Sequence, residues 1–278
     1  MSLRIVASTA LAIGFIAWLL GAAPSLAEEK DRSPAAKTAG SRVSAAVVAE
    51  PSRTDADKAL EKSKSSGTAV YVPPESRGAV HSRTSGGARG WSGPHVFVLA
   101  PDHVGVTTLA QPKLAWFLSK DTRAAIEVSL IADGAIESSI KIRLPGPYGA
   151  GIHLVDLAAQ QGTLEEGRTY AWYVALVIDP RARDLDVVAS GSIERQAATP
   201  ELARELASGE RSYRVLARNG VWYDAIADLS AAIEAIPASS PGAARELRAE
   251  RAGLLEQVGV IAAAEYDNER VGVLGSAE

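Results

Sequence analysis

Histidines and carboxylates are the side chains of this sequence that could support catalytic or metal chemistry, and they are few and scattered. The four histidines are His81, His95, His103 and His153. None has the partner four residues away, or the HExxH neighbourhood, that a helical zinc site requires. His95 and His103 flank the first expected strand and could meet Asp102 or Asp156 in space. The sequence nevertheless predicts no metal site and no cofactor.

Motifs for nucleophilic or phosphate chemistry are also missing. There is no G-x-S-x-G elbow, P-loop or dinucleotide fingerprint. Ser190-Gly191-Ser192 has no base nearby and is predicted to be a turn or a strand bulge. Glu165 and Glu166 are neighbours in a turn, whereas the two carboxylates of a glycosidase face each other across a cleft. The sequence therefore predicts no catalytic residue, although this does not decide whether the protein is an enzyme.

The candidate ligand or partner surface is a short aromatic stretch in the helical part of the chain, Asn219-Gly220-Val221-Trp222-Tyr223-Asp224. Asn219-Gly220 ends one helix, and helical spacing resumes directly after it. Trp222 and Tyr223 then lie at the corner between two helices. They either pack the corner or form an aromatic contact surface for a partner. Asp224 either charges the first turn of its helix or has a perturbed pKa.

Composition and the N-terminus indicate an exported protein. The 278 residues are 47% hydrophobic with a formal net charge of -4, which gives no general indication of nucleic-acid binding. Residues 1–27 resemble a secretory signal: Arg4 precedes the apolar run Ile5–Ala23, and small residues follow up to Ala27. We expect cleavage after Ala27 and a periplasmic or envelope location. An uncleaved anchor is the alternative, because the apolar run is nearly long enough to span a bilayer.

Cysteine usage removes several further possibilities. The chain has no cysteine at all. This excludes disulfides, a lipid-modified cysteine, thiolate metal sites and a cysteine nucleophile. An exported chain of this kind must obtain its stability from its core alone.

The segment 28–90 has the composition of a disordered linker. It is rich in small and charged residues, has no sustained periodicity, and cannot bury enough apolar surface to offset its ordering entropy. Two stretches stand out within it. Val70-Tyr71-Val72-Pro73-Pro74 could dock as one extended segment. The basic, glycine-rich stretch Ser82–Gly90 is either a flexible linker or an anion-attracting patch.

Short alternating segments separated by turns fill residues 91–196. The expected strands are His95–Leu99, Leu114–Leu118, Ala125–Ile131, Ser138–Leu144, Gly151–Leu157, Tyr170–Ile178 and Val187–Glu194. About seven strands with no intervening helices predict an antiparallel β-sandwich of immunoglobulin or fibronectin type. Trp116 and Trp172 are its expected core aromatics, and the strand Tyr170–Ile178 is expected at the centre of a sheet.

Helical spacing dominates residues 200–268, and a short tail, 269–278, follows. The expected helices are Glu201–Arg218, Trp222–Ile236, Ala243–Val258 and Val260–Asn268. Leu216 to Val221 resembles Leu255 to Val260, because each stretch is a helix end followed by glycine and valine. This weak repeat favours a C-terminal unit of antiparallel helical hairpins over a peptide-binding solenoid.

Several motifs, in order along the chain from about Gly86 to Ile236, carry a resemblance to a known family. They are Gly86-Gly87-Ala88-Arg89-Gly90, Leu99-Ala100-Pro101, Leu114-Ala115-Trp116-Phe117, Leu144-Pro145, Gly151-Ile152, Ile193-Glu194-Arg195 and Gly220-Val221-Trp222-Tyr223-Asp224-Ala225. With these motifs the chain resembles the bacterial family known as domain of unknown function 928. The resemblance implies an exported β-sandwich followed by helices, and it implies no activity. Family members often carry cysteines in the β region, which are absent here.

Two functions remain open from the sequence. The first is a non-catalytic envelope module that binds or scaffolds another envelope protein, with no nucleic-acid partner and no stable membrane insertion after cleavage. The second is an envelope hydrolase or carbohydrate-binding domain with a cleft between the sandwich and the helices. A pocket with converging carboxylates or histidines favours the second function, and a shallow apolar groove on the helices favours the first.

Overall fold

The computed structural model describes residues 68–74 and 91–273. All of these residues belong to one compact unit, Glu50–Glu278. The expected signal segment 1–27, most of the linker 28–90 and the last residues of the tail lie outside the described residues. Within the described part, the fold is mixed α and β, with two sheets followed by five α-helices.

Eight strands form the two sheets. They are β1 Val96–Val98, β2 Gly105–Thr107, β3 Lys113–Leu118, β4 Ala125–Ala132, β5 Ile140–Leu144, β6 Gly151–Asp156, β7 Thr169–Val177 and β8 Val187–Arg195. One sheet has the order β1-β3-β6, and the other has the order β2-β8-β7-β4-β5. A single turn of 3₁₀ helix, Arg183–Leu185, precedes β8. The strand expected at the centre of a sheet, β7, is the middle strand of five.

The expectation of a purely antiparallel arrangement is wrong at one edge. Strand β2 was not predicted, and it pairs with β8 in parallel, with Gly105 opposite Ile193 and Thr107 opposite Arg195. Three residues are too short to show the alternation by which a strand is recognised in a sequence. Its position is instead determined by contacts with distant parts of the chain.

Five helices complete the described chain. They are α1 Pro200–Leu206, α2 Ser212–Arg218, α3 Trp222–Glu234, α4 Pro241–Gln257 and α5 Ile261–Val273. The single helix expected over Glu201–Arg218 is in fact two, because Gly209 adopts a left-handed conformation with φ of 86° that interrupts it. Helix α5 continues past the expected end at residue 268. None of the helices in the described ranges is both long enough and apolar enough to cross a bilayer.

The weak repeat seen in the sequence corresponds to a repeated helix ending. After α2, the amide of Val221 donates to the carbonyl of Leu216 at 2.9 Å, and Gly220 has φ of 76°. After α4, the amide of Val260 donates to the carbonyl of Leu255 at 2.9 Å, with the equivalent glycine also at positive φ. Both endings are Schellman motifs, which use glycine because its left-handed conformation carries no Cβ penalty.

A single hydrophobic core joins the sheets and the helices. Trp116 from the three-stranded sheet, Trp172 from the five-stranded sheet and Trp222 from α3 are all fully buried in it. The expectation that Trp116 and Trp172 are core aromatics is confirmed.

Candidate functional site

Trp222, the first residue of α3, fixes the helical region to the sheets. Its ring is fully buried, and its indole Nε1 donates to the backbone oxygen of Leu99 at 2.8 Å. The ring of Tyr71 packs edge-on against it, with the ring centroids 4.8 Å apart and the planes at 70°. The indole amine and one side of the ring are therefore both in contact with other parts of the chain.

Tyr223 is buried against the five-stranded sheet, with 2% of its surface exposed. Its hydroxyl donates to the backbone oxygen of Ser192 and accepts from Nε1 of Trp172, both at 2.8 Å. Burial raises the pKa of this hydroxyl far above its ordinary value. A Cβ on Gly105 would lie only 2.7 Å from the Tyr223 ring, so the close approach of β2 requires glycine there.

Asp224 connects α3 to the end of β2. Its carboxylate accepts from the Thr107 hydroxyl at 2.5 Å, from the Thr108 amide at 2.9 Å and from the Thr108 hydroxyl at 2.6 Å. The expectation that Asp224 serves its own helix is therefore incomplete: it lies in the first turn, where the macrodipole favours a negative charge, but its hydrogen bonds go to another element. Burial raises its pKa, and the bonds from the two threonines oppose that rise.

The three predicted site residues are thus brought together in the interior. Trp222, Tyr223 and Asp224 are 0%, 2% and 7% exposed, and each contacts a different part of the β region. In this structure the corner displays no aromatic surface, because its rings face the sheets and Tyr71. A partner protein could contact them only after α3 or the Tyr71 segment had moved away.

The extended segment 68–74 docks on this corner. The Tyr71 amide donates to Oε1 of Gln257 at 2.8 Å, and the Val72 amide donates to the carbonyl of Ala217 at 3.1 Å. The Tyr71 hydroxyl lies 2.9 Å from Nε2 of His103. A Cβ on Gly220 would approach the Val72 oxygen to 3.1 Å, so this glycine serves both the helix ending and the docked segment.

The histidines do not converge. Nδ1 of His103 lies 3.1 Å from Asp102, a pairing the sequence suggested, but Asp156 instead pairs with Lys113 at 3.6 Å. His153 stacks on Trp116 with the ring centroids 4.6 Å apart. His81 lies outside the described residues. Among residues 68–74 and 91–273, no group of three or more histidine and acidic side chains is placed to hold a metal ion.

A groove lies where β6 meets α3, and we call it the β6 groove. Its volume is about 340 Å³. The residues from β6 and α3 that line it are Ile152, His153, Leu154, Asp156, Ala227, Ala231 and Glu234. The remaining wall consists of Lys113, Trp116, Leu144 and Tyr148. Consecutive residues of β6 point to opposite faces, yet both sets line this groove, which places it at the open edge of the strand.

Aromatic and charged groups share the β6 groove. The rings of Tyr148 and His153 form a T-shaped pair, with centroids 5.4 Å apart and planes at 87°. Burial raises the pKa of the Tyr148 hydroxyl. The buried indole Nε1 of Trp116 has no hydrogen-bond partner in the described part of the chain. Asp156 accepts from the amide of Ala158 at 2.8 Å besides pairing with Lys113, so its carboxylate is held in place.

Sequence reasoning identified neither this groove nor a buried ion pair among the helices. Arg251 makes two bonds to Asp267, at 2.7 and 2.9 Å, and a third to the Ser230 hydroxyl at 2.9 Å. These three residues come from α4, α5 and α3. A signal was present, because Arg251 lies on the apolar stripe of its helix between Leu247 and Leu254. The groove gave no such signal, since its walls come together only in the fold.

Comparison with known proteins gives one match. The family model described as Domain of Unknown Function (DUF928) matches residues 79–267, well over half of the chain. No curated protein matches, and no solved structure matches.

Proposed function

The chain belongs to the Domain of Unknown Function (DUF928) family, and from that premise we propose that it is an exported, non-catalytic module that binds or scaffolds another protein of the cell envelope. The observation that carries the proposal is the β6 groove, a partly apolar surface at an open strand edge beside a helix.

The charges at the groove favour binding over catalysis. Lys113 and Asp156 neutralise each other, and Asp156 is further fixed by the amide of Ala158. A general acid or base would need to reach a substrate with a free proton-transferring group. Nε2 of His153 already lies 2.8 Å from the carbonyl of Gly149, so the polar groups of the groove are anchored within the chain.

Export and location are part of the same proposal. The support is the sequence of residues 1–27, with a basic residue, an apolar run and small residues before Ala27. The exported chain would lie in the periplasm or envelope with no stable membrane insertion after signal cleavage, and its partner would be another envelope protein. We propose no role in nucleic-acid binding, because the net charge is -4.

We also propose the immunoglobulin or fibronectin type for the two sheets and a hairpin for the helices around Gly220. The support is that Trp116 and Trp172 come from different sheets and are buried in one core. Aligned sandwiches keep their strand directions within about 30° of each other. An experimental structure in which the two sheets cross near a right angle would contradict the assignment.

Site-specific crosslinking in living cells tests the binding proposal. The photoreactive residue p-benzoylphenylalanine replaces Ala231, which is exposed at the groove, and in a matched control it replaces Ile136, which is 99% exposed on a turn. We expect an adduct with another envelope protein from position 231 and none from position 136. A second substitution that fills the groove, Ala227→Arg, should abolish the adduct. Equal labelling from both positions would contradict the proposal.

A carbohydrate-binding or hydrolytic role is the second candidate, because Tyr148 and His153 present rings beside Asp156 and Glu234 in the same groove. Rings and carboxylates together are suited to the faces and hydroxyls of a sugar. Titration with oligosaccharides of glucose and of N-acetylglucosamine, followed by isothermal calorimetry, examines this role. Saturable binding that is lost in Tyr148→Ala, or release of reducing ends, would favour this role over protein binding.

A further inference from the structure

The two sides of β6 are chemically different. The register of β3 and β6 pairs Lys113 with Asp156 and Leu118 with Gly151, and the amide of Leu157 donates to the carbonyl of Pro112 at 3.1 Å. In an antiparallel ladder, alternate residues direct their amide and carbonyl groups toward the partner and away from it. Residues 151, 153, 155 and 157 therefore face β3. The amides and carbonyls of Ile152, Leu154 and Asp156 point to the open side.

Among the strand edges in the described residues, that of β6 combines length with few charges, and α5 contacts it at its beginning, where the Tyr266 hydroxyl donates to the carbonyl of Ala150 at 3.0 Å. Strands β1 and β2 have only three residues each. The edge of β5 carries the exposed charges of Lys141 and Arg143, a device that discourages pairing with another strand. Strand β6 has the sequence GIHLVD, in which the only acidic or basic residue apart from His153 is the last one. It is therefore the edge most suited to accept a further strand.

The groove leaves room beside this edge. Helix α3 presents the small side chains of Ala227 and Ala231 toward it, and Tyr148 lines another part of its wall. Ile152 and Leu154 are half-buried rather than covered. An extended backbone fits such a place, because its own amides and carbonyls repeat every second residue, as those of Ile152, Leu154 and Asp156 do.

The charges at the groove indicate which side chains a bound segment should carry. Glu234 lies at the C-terminal end of α3, exposed and lining the groove, and the described residues provide it with no basic partner. The carboxylate of Asp156 is already paired with Lys113. A basic side chain on the occupant would thus meet Glu234, while apolar side chains at alternate positions would cover Ile152 and Leu154.

We propose that the β6 groove binds an extended segment of a partner protein, which adds to β6 as a further strand and places a basic side chain at Glu234. This inference rests on the proposed binding function and names the form in which the partner is recognised. Main-chain hydrogen bonds supply affinity in strand addition, and the side chains at alternate positions supply specificity. The bonds would be made by Ile152, Leu154 and Asp156.

The test uses proline to remove one outward amide. Leu154→Pro deletes the amide that faces the open side and leaves the ladder to β3 intact, a position where an edge strand tolerates proline. Leu154→Ala is the matched control, because it loses the side chain but keeps the amide. The probe is a displayed library of random ten-residue peptides, selected on the full chain.

The expected result has two parts. The selected peptides should alternate apolar residues with polar ones and carry a basic residue, and they should slow amide hydrogen exchange at Ile152, Leu154 and Asp156. Leu154→Pro should weaken binding about tenfold, the factor that corresponds to losing one backbone hydrogen bond of about 1.4 kcal/mol. Leu154→Ala should weaken it less. Glu234→Arg, an exposed change that does not depend on tolerance of proline, should also weaken it.

Three outcomes would overturn the inference. If selected peptides bind but leave the three amides unprotected, strand addition is wrong, whereas an adduct from position 231 would still support the proposed function. If the unliganded chain forms dimers that Leu154→Pro dissociates, the occupant is a second copy of the chain. If neither the library nor the crosslinker finds a groove-dependent partner, the proposed function fails as well.

Discussion

Trp172 and Tyr223 are 51 residues apart in the sequence, and the indole nitrogen of Trp172 donates to the hydroxyl oxygen of Tyr223 at 2.8 Å. Their rings meet edge-on, with the centroids 6.2 Å apart. The same hydroxyl donates onward to the backbone of Ser192 in β8. One hydroxyl group thus satisfies two buried polar groups and holds helix α3 against two neighbouring strands.

Tyr223→Phe should therefore destabilise the fold although it removes a single oxygen atom. The indole amine of Trp172 and the carbonyl of Ser192 would lose their partner in the interior, which costs about 1–3 kcal/mol for each unsatisfied group. Denaturant unfolding measures the loss. Tyr173→Phe is the control, because that half-buried tyrosine makes no such bond, and an equal effect of the two substitutions would contradict the argument.

Trp222→Ala tests whether the corner is structural. Truncation of a buried aromatic ring costs about 3–5 kcal/mol, a large share of the roughly 5–15 kcal/mol that stabilises an ordinary domain. We expect a clearly lower melting temperature, while Leu109→Ala, at a half-exposed position, should leave it nearly unchanged. If Trp222 were instead a partner hot spot, its removal would spare stability and abolish binding.

Asp224 should make stability depend on pH. Its pKa is raised on folding, so the folded state binds more protons than the unfolded state between the ordinary and the raised pKa. Stability should then fall as pH rises through that interval. The free energy of unfolding of Asp224→Asn, measured over the same interval, should lack this decline. Asp133→Asn, at an exposed turn, should keep the decline of the parent chain. The prediction is wrong if the free energy of unfolding changes with pH in the same way in all three proteins.

Removing one partner of the buried ion pair between Arg251 and Asp267 should lower the free energy of unfolding strongly, whereas replacing both partners by apolar residues should lower it much less. Arg251→Met leaves an unpaired carboxylate in the interior, a change worth about 3–5 kcal/mol. The double variant Arg251→Met with Asp267→Leu removes both charges and should recover most of that loss. A double-mutant cycle built on unfolding free energies gives the coupling, and additive effects of the two positions would show that the pair is not coupled.

The mature protein should begin at Glu28. The prediction follows from the apolar run Ile5–Ala23 and the small residues before the expected cleavage point at Ala27. N-terminal sequencing of the protein from an envelope fraction checks it. Recovery of the intact Met1 terminus in the membrane would show that the segment is an anchor.

Regular alternation made much of the β region predictable. Strand β7 runs through Tyr170, Trp172 and Val174 on one buried face, and such a pattern can be read from neighbouring residues alone. Strand β2 had no comparable pattern. It depends on Asp224, more than a hundred residues later, which bonds to Thr107 and Thr108. Gly209 shows the same limit on a smaller scale, because an isolated glycine within a helical pattern can be tolerated and does not by itself mark the end of the helix.

The residues of the candidate corner could be predicted from the sequence, but their burial and their contacts could not. The aromatic residues at the corner stand out in the sequence because large rings next to a helix stop can bury much area. Whether Trp222 faced solvent depended on Tyr71 and Leu99, which neighbour it only in three dimensions. The residues that line the β6 groove are spread along the sequence from Lys113 to Glu234. No local sequence pattern predicts a groove between elements that are so far apart in the chain.

The docked segment also affects when the chain can finish folding. The Tyr71 amide bonds to Gln257, 186 residues later, and the Gln257 side chain bonds back to Ala69. A ribosome adding about 5–20 residues per second reaches Gln257 on the order of two to seven seconds after Trp222. During that interval residues 68–74 lack both of their bonds to Gln257. A chain truncated before α4 would lack these bonds permanently, so residues 68–74 should be held less firmly over the Trp222 ring in such partial products.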